Sequence, residues 1–412
     1  MHITLLSFIG LSQIRMKEKD AMKRVVCFAL ALLLLGPCRA WADTAERVPA
    51  VAVGRAVTAE GALTLSAPSA VLMEKETGAV LYEKNAREPG FPASITKIMT
   101  MLLIIEAMES GALSPDDVVT ASARAASFGG SCVYLEAGEQ MSAREMLKCI
   151  AVVSANDCAV AMAEHLCGTE EVFVRKMNER AKELGMQNTH FSNCTGLFDD
   201  GEHFTTAYDV ALMSRELIRH EAIKEYTTIW MDSIRGGSFE LSNTNKLVYW
   251  YPGCTGLKTG YTSTARYCLS ATAERGGVEY IAVVMHGETA DSRNRDAETL
   301  LSYGFANYRL IPLTDGKALP ALPVELGQKK TVPLTLAEPG YRLAPKGAEP
   351  EYSLSLNATA PAPVRKGQPL GTLRVTVGGE TLAEVPVCAA EDVGRIGFGG
   401  LFAKLALSLL GI

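Results

Sequence analysis

The sequence predicts an α+β fold in two domains, with a short appendage at each end. Its 412 residues are more than one compact core usually contains. Within 66–312, strand patterns occur near both ends and helical patterns lie between them, the order expected of an antiparallel sheet with grouped helices. After Leu313 proline becomes frequent and helical periodicity is lost, so a small β-sandwich is predicted to follow.

The elements of the larger domain are predicted from local patterns. Residues 67–73 and 79–82 are expected to pair as strands around the turn Thr77-Gly78. A second hairpin is predicted at 267–273 and 280–286, around Arg275-Gly276-Gly277. Apolar residues at helical spacing predict helices over 94–108, 146–153, 157–166, 171–184, 209–219 and 297–307.

The domain boundaries are predicted from shifts in composition. A polar lead at 43–65 precedes the larger domain at 66–312, and the β-rich domain occupies 313–390. The tail, 391–412, is apolar but short, and small or polar residues recur in it at helical spacing: Gly397, Gly400, Lys404, Ser408 and Gly411. Residues 394–412 are therefore predicted to form an amphipathic helix in a membrane interface, the alternative being a helix packed on its own domain.

The N-terminus has the features of an export signal. Met22-Lys23-Arg24 is followed by an apolar run over 25–36 and by Ala40-Trp41-Ala42, which fits the small-x-small cleavage rule. Residues 1–42 are thus predicted to be a signal peptide with an over-long translation start, and the mature chain to begin at Asp43. The apolar run is too short to span a bilayer well, which favours a cleaved signal peptide over the alternative of an uncleaved anchor.

Charge and cysteine content exclude several classes of function. The net charge of −6 and the absence of a long basic run argue against a nucleic-acid partner. None of the ten cysteines forms a CxxC pair or a zinc-spaced Cys/His cluster, so the cysteines predict no zinc site. Eight cysteines follow residue 42, and their pairing and redox state stay open, as does the oligomeric state.

Three short motifs that occur in a fixed order indicate the chemistry. They are Ser94-Ile95-Thr96-Lys97, Ser154-Ala155-Asn156 and Lys258-Thr259-Gly260. Each of them alone is more often a helix cap, a helix break or a strand end. Together, in this order and in an exported chain, they are the SxxK, SxN and KTG set of the serine enzymes that bind penicillin.

The first motif contains a nucleophile and its base. Ser94 lies at a predicted helix start, and Lys97 lies one turn further on the same face. A serine hydroxyl needs a base, and no histidine stands in a triad context, so Lys97 is predicted to serve. Its pKa must drop by roughly 3, about 4 kcal/mol, for work near neutrality. Burial and a second cation, Lys258, are expected to supply that drop.

The remaining motif residues are predicted to handle the substrate. Ser154 can relay a proton to the leaving amine, and Asn156 can hold both Lys97 and a substrate amide. Lys258 and Thr259 can bind a terminal carboxylate, and Gly260 lets a substrate strand approach. The backbone N–H groups of Ser94 and Tyr261 can form an oxyanion hole, in which loss of one donor typically costs about 100- to 1,000-fold in rate.

Longer segments around these motifs resemble one family. They are FPASITKIMT (91–100), SANDCAVAMAEH (154–165), NTHFSNCTGL (188–197), TTAYDVALMSREL (205–217) and TGLKTGYTSTARYCLSATAERGG (255–277). The chain resembles the D-alanyl-D-alanine carboxypeptidases among the low-molecular-mass penicillin-binding proteins over nearly its whole mature length.

The resemblance implies a fold and an activity. It implies a β-lactamase/transpeptidase-like catalytic domain with a helical subdomain, and removal of the terminal D-alanine from peptidoglycan pentapeptide stems in cell-wall biosynthesis. It also implies acylation by β-lactam antibiotics, no cofactor, and an envelope location on the outer face of the cytoplasmic membrane. By carry-over Ser94 is the nucleophile, Lys97 the base, and Ser154, Asn156, Lys258 and Thr259 the supporting set.

Two departures from the family pattern leave alternatives open. Cys194 stands where the family usually has proline, and Glu288 occupies the neighbourhood of an arginine that grips the substrate carboxylate in some members. Arg293 or Arg266 could take that role, or Lys258 and Thr259 suffice. A β-lactamase is the first alternative function, and it would not need the C-terminal domain. A catalytically silent wall-binding protein is the second, and it would be expected to lack at least one motif residue, whereas all of them are present. Transpeptidation through the same acyl-enzyme stays open, as does a vegetative or sporulation role.

Overall fold

The computed structural model describes residues 63–402 apart from 315 and 317. The described residues belong to one compact unit. The predicted signal peptide, the lead up to residue 62 and the tail from residue 403 lie outside the described residues.

The described strands and helices alternate irregularly along the chain. The strands are β1 (Ser69–Glu74), β2 (Val80–Lys84), β3 (Val118–Thr120), β4 (Gln140–Ser142), β5 (Met231–Ile234), β6 (Phe239–Ser242), β7 (Cys254–Thr262), β8 (Arg266–Arg275), β9 (Val278–Gly287), β10 (Tyr308–Pro312), β11 (Leu322–Glu325), β12 (Thr331–Val332), β13 (Leu334–Leu336), β14 (Tyr341–Pro345), β15 (Pro350–Leu356), β16 (Ala360–Pro361), β17 (Pro369–Val377) and β18 (Glu380–Ala389). The helices are α1 (Lys97–Glu109), α2 (Ala123–Ala126), α3 (Ala143–Val152), α4 (Asn156–Cys167), α5 (Glu170–Glu183), α6 (Ala207–Leu217), α7 (Lys224–Thr227), α8 (Leu247–Trp250) and α9 (Ala290–Asn307).

A five-stranded antiparallel sheet is the centre of the larger domain. Its order is β2-β1-β9-β8-β7, so strands from the beginning and the end of the domain meet in one sheet. Alternate side chains of β1 and β9 face opposite sides, as the period of two requires. Val71 and Val283 pack with the helices between β2 and β7, whereas Leu72 and Val284 pack against α9. The predicted α+β class is confirmed.

Helix starts in this domain are set by side-chain caps. Ser142, Thr169 and Thr206 each accept a hydrogen bond from a backbone N–H in the first turn of α3, α5 and α6. Such a cap typically stabilises a helix by about 1 kcal/mol. The helix predicted from residue 297 instead begins at Ala290, behind a capping box formed by Thr289 and Ser292. In the first turns of this helix a polar residue, Asp296, is buried and accepts a hydrogen bond from the backbone N–H of Ala67. The apolar periodicity therefore begins only at residue 297, after the helix has started.

The C-terminal part of the described chain is β-rich, as predicted. A four-stranded sheet has the order β13-β18-β17-β15, and smaller sheets pair β10 with β14 and join β12, β11 and β16. Their side chains form two apolar clusters, one around Val375 and Val387 and the other around Val332 and Val364. Residues 398–402 are helical, and Phe398 and Phe402 are 86% and 68% exposed. Within the described part of the chain, none of the helices has the length and apolarity to cross a membrane.

Candidate active site

The first motif lies in a tight turn that leads into α1. A 3-10 turn spans Ala93–Thr96, and the α-helix proper begins at Lys97. Ala93 has φ +49°, a value that L-residues rarely adopt, so the turn is held by its surroundings. Ser94 is half-buried, and its Oγ lies 3.1 Å from the Nζ of Lys97. The structure therefore brings the predicted nucleophile and base together.

Lys97 is enclosed by hydrogen-bond acceptors. Its side chain is fully buried, and Nζ lies 2.6 Å from the Oδ1 of Asn156 and 2.8 Å from the carbonyl oxygen of Thr195. The amide of Asn156 is oriented unambiguously because its Nδ2 donates to the Gly129 carbonyl at 2.7 Å. Both of these partners can only accept, so a neutral amine spends its two hydrogens on them and turns its lone pair toward Ser94 Oγ.

Burial lowers the pKa of Lys97 to about 7. The cause differs in part from the prediction, which also assigned a share of this drop to Lys258. Lys258 is itself fully buried, and its pKa is lowered well below the ordinary value by burial, then by the charges of Lys97 and Arg293. The mutual repulsion of the two lysines thus acts on Lys258, whereas desolvation is the main cause at Lys97.

The second motif lies at the break between α3 and α4. Ser154 has φ +65°, is buried, and its Oγ has no hydrogen-bond partner among the described residues. Asn156 is the first residue of α4, and its backbone N–H donates to the Ser131 carbonyl at 2.7 Å. A strained serine with an unused hydroxyl has both a donor and an acceptor available to a bound substrate.

The third motif forms the edge of the sheet beside the nucleophile. Lys258, Thr259 and Gly260 lie on β7, which is one of the two edge strands of the five-stranded sheet. A Cβ on Gly260 would lie 2.8 Å from the Pro92 carbonyl oxygen and 3.1 Å from the Ser94 nitrogen, so only glycine leaves this space free. Tyr261 follows, 56% exposed, with its ring 4.4 Å from that of Tyr267.

The two candidate arginines differ in their surroundings. Arg293 is buried on α9 and donates to the Cys268 carbonyl at 3.3 Å, and burial lowers its pKa to about 10. Arg266 is exposed at the start of β8. Arg293 acts on Lys258 through its charge, whereas neither arginine takes part in the contacts of Ser94 or Lys97 described above.

Two contributors to the site were missed by the motif analysis. Thr195 acts through its main-chain carbonyl, which has no side-chain signature, although it lies in NCTGL, a segment that resembles the family. Thr244 is exposed, and its Oγ1 accepts a hydrogen bond from Thr259 Oγ1 at 2.7 Å. Nothing in the spacing of Asn243-Thr244-Asn245 indicates contact with β7. The described cysteines, including Cys194 and Cys254, are free thiols.

A serine, a buried lysine of lowered pKa and a polar strand edge define an active-serine acyl-transfer enzyme. Comparisons with known proteins agree with this class. The sequence profile of the D-alanyl-D-alanine carboxypeptidases matches residues 56–289, and that of the penicillin-binding protein 5 C-terminal domain matches residues 311–395. The chain belongs to the D-alanyl-D-alanine carboxypeptidase family, and the predicted serine carboxypeptidase class is confirmed.

Individual relatives cover most of the chain. The D-alanyl-D-alanine carboxypeptidase DacF of Bacillus subtilis is 46% identical over 343 residues, which are 82% of this chain and 88% of DacF. Penicillin-binding protein 5 of Haemophilus influenzae superimposes with a TM-score of 0.74 at 30% identity, over 81% of this chain and 99% of that one. Penicillin-binding protein D2 of Listeria monocytogenes, in an ampicillin-bound form, has a TM-score of 0.54 at 35% identity, over 59% and 99%.

Proposed function

We propose that this carboxypeptidase removes the terminal D-alanine from peptidoglycan stem peptides through an acyl-enzyme on Ser94. The observation that carries the assignment is the arrangement around Lys97. Asn156 and Thr195 accept the two hydrogens of a neutral amine, and the lone pair faces Ser94 Oγ at 3.1 Å. A lysine with a pKa of about 7 is unprotonated in about half of the molecules at neutral pH.

Acylation proceeds by transfer of the Ser94 proton to Lys97. The Oγ then bonds to the carbonyl carbon of the penultimate D-alanine, and the resulting oxyanion is stabilised by the N–H groups of Ser94 and Tyr261. The C–N bond breaks as the leaving amine receives a proton, which Ser154 relays from Lys97. The products of this step are free D-alanine and an ester on Ser94.

Hydrolysis of the ester completes the cycle. A water attacks the ester carbonyl and gives its proton to Lys97, and Ser94 Oγ leaves with a proton from the same amine. The products are the shortened peptide and the original enzyme. Lys258 and Thr259 bind the carboxylate of the terminal D-alanine, because both lie on the strand beside Ser94. The charge of a bound carboxylate favours the protonated form of Lys258, which burial and the neighbouring cations disfavour in the free enzyme.

D-alanine release is the test of this assignment. The purified protein is incubated with a diacyl-D-Ala-D-Ala peptide between pH 6 and 10, with Ser94→Ala as the matched inactive variant. We expect release by the wild type and none by the variant. A wild type that releases no D-alanine anywhere in this range rejects the carboxypeptidase assignment.

Penicillin should form a long-lived adduct on Ser94. The ampicillin-bound relative from Listeria supports this expectation. Mass spectrometry of the protein after mixing with a labelled penicillin measures both the site and the lifetime of the adduct. An adduct on Ser94 that persists for many minutes supports the proposal, whereas rapid turnover identifies a β-lactamase.

We further propose that the enzyme acts outside the cytoplasmic membrane. The predicted signal sequence at 1–42, with a predicted mature start at Asp43, supports export. The exposed Phe398 and Phe402 support membrane contact through 394–412. We also propose that the catalytic domain spans residues 66–312 and the β-rich domain residues 313–390. Deleting 394–412 should move the protein from the membrane fraction to the soluble fraction, and an unchanged distribution contradicts the anchor.

A further inference from the structure

His203 is a fully buried histidine outside the three motifs. It lies between α5 and α6, and its Nε2 is 2.7 Å from the Oγ1 of Thr96, inside the first motif. Its Nδ1 accepts a hydrogen bond from the backbone N–H of Ser192 at 3.0 Å. The proposed reaction uses no proton from this residue, so its position beside the nucleophile turn requires another explanation.

The hydrogens in this contact have one consistent arrangement. The Ser192 N–H can only donate, so Nδ1 carries a lone pair and the proton of the neutral ring resides on Nε2. Nε2–H then donates to Thr96 Oγ1, and the Thr96 hydroxyl donates to the Ala93 carbonyl at 2.8 Å. Burial lowers the pKa of His203 to about 4, so this neutral form persists over the working range of the enzyme.

The chain of hydrogen bonds ends on the peptide group that contains the Ser94 N–H. In a trans peptide the C=O and N–H point in opposite directions. Two glycines lie close to the Ala93–Ser94 peptide group, Gly196 beside its oxygen and Gly260 beside its nitrogen. A Cβ on Gly196 would lie 1.8 Å from the Ala93 oxygen, and a Cβ on Gly260 would lie 3.1 Å from the Ser94 nitrogen. The carbonyl thus faces Thr96, and the nitrogen lies beside Gly260 of β7, where the substrate is proposed to bind.

We infer that His203 is a positioning residue that acts through Thr96 to orient the oxyanion-hole N–H of Ser94. The turn needs such support, because Ala93 has φ +49° and is not held by its own conformational preference. Hydrogen bonds to a carbonyl also polarise the adjoining N–H and strengthen it as a donor. The inference rests on the proposed acyl-enzyme and adds a support for its transition state that the three motifs do not include.

The experiment compares substrates that differ in one atom. An ester substrate and its thiono analogue, with sulphur in place of the scissile carbonyl oxygen, are turned over by wild type and by His203→Leu. Sulphur is a weak acceptor, so an intact oxyanion hole favours the oxygen substrate. We expect His203→Leu to lower kcat for the ester by about 10-fold with little change in KM, less than the 100- to 1,000-fold that loss of a donor typically costs. The oxygen-to-sulphur ratio of kcat/KM should fall by a similar factor.

Conservative and control variants separate orientation from simple loss of stability. His203→Gln keeps an N–H donor for Thr96, so its oxygen-to-sulphur ratio of kcat/KM should be close to that of the wild type. Thr96→Ser keeps the hydroxyl and should have a higher ratio than Thr96→Val. Thr227→Val is the matched control, because Thr227 is another buried threonine that donates to a backbone carbonyl, that of Thr255, at 2.7 Å. It should lose stability while keeping the wild-type ratio.

Each outcome bears on the inference. An active wild type with an unchanged ratio in His203→Leu overturns it and leaves the proposed function intact. If His203→Leu does not fold, Thr96→Val decides, since an unchanged ratio there overturns the inference equally. A wild type without ester turnover or penicillin acylation contradicts the proposed function, and the inference falls with it.

Discussion

Replacing Asn156 with aspartate tests the protonation of Lys97 directly. The amide oxygen lies 2.6 Å from Nζ in a buried site, and the substitution puts a carboxylate in its place. An opposite charge at that distance typically raises the pKa of an ammonium by about 1–3. The pKa of Lys97 should therefore move from about 7 to about 8–10.

The expected effect on rate follows from the fraction of neutral amine. Lys97 is neutral in about half of the wild-type molecules at pH 7, whereas a lysine of ordinary pKa 10.5 would be neutral in about 1 of 3,000. In Asn156→Asp the acylation rate at pH 7 should fall by about 5- to 500-fold and recover as the pH approaches 10. The wild-type rate should rise with pH and level off above about 8.

The assay is second-order acylation by a fluorescent penicillin from pH 5.5 to 10. Asn178→Asp is the control, because it makes the same change in α5, where Asn178 binds the Phe191 backbone instead of Lys97. Its pH midpoint should stay near that of the wild type. An Asn156→Asp midpoint that stays near 7 or moves lower would refute the assignment of Lys97 as the base.

Three further predictions concern substitutions in and around the site. Gly260→Ala should lower penicillin acylation by about 100-fold or more without unfolding the protein, because its Cβ would lie 3.1 Å from the Ser94 nitrogen; labelling and circular dichroism measure the two effects. Gly196→Ala should destabilise the fold by about 3 kcal/mol or more in urea unfolding, because φ is +71° and the Cβ would overlap the Ala93 oxygen, and near wild-type stability would contradict this. Between pH 7 and 10.5 the unfolded chain binds a proton on Lys97 and the folded chain does not. The free energy of unfolding of the wild type should therefore rise with pH, relative to that of Lys97→Met, by up to about 5 kcal/mol. Equal slopes of unfolding free energy against pH in the two proteins would exclude the lowered pKa.

The position of Lys97 illustrates how far local sequence reaches. Its place one turn after Ser94 is a matter of helical spacing, and the structure brings the two side chains together as the spacing predicts. The start of α9, predicted at residue 297 but found at Ala290, illustrates the reverse case. Asp296 and Arg293 are buried polar residues, and a pattern based on apolar periodicity does not register them.

The sequence by itself determined the α+β class, the order of the three motifs and the family, because side-chain types at short spacings are written directly in it. The tertiary structure alone decided what makes Lys97 a base. The Thr195 carbonyl and the Asn156 amide reach it from 98 and 59 residues away, and the surrounding core removes water from all three. The contact of His203 with Thr96, over 107 residues, is decided in the same way. Backbone carbonyls and desolvation have no local signature, so the chemistry of the site emerges only when distant segments pack.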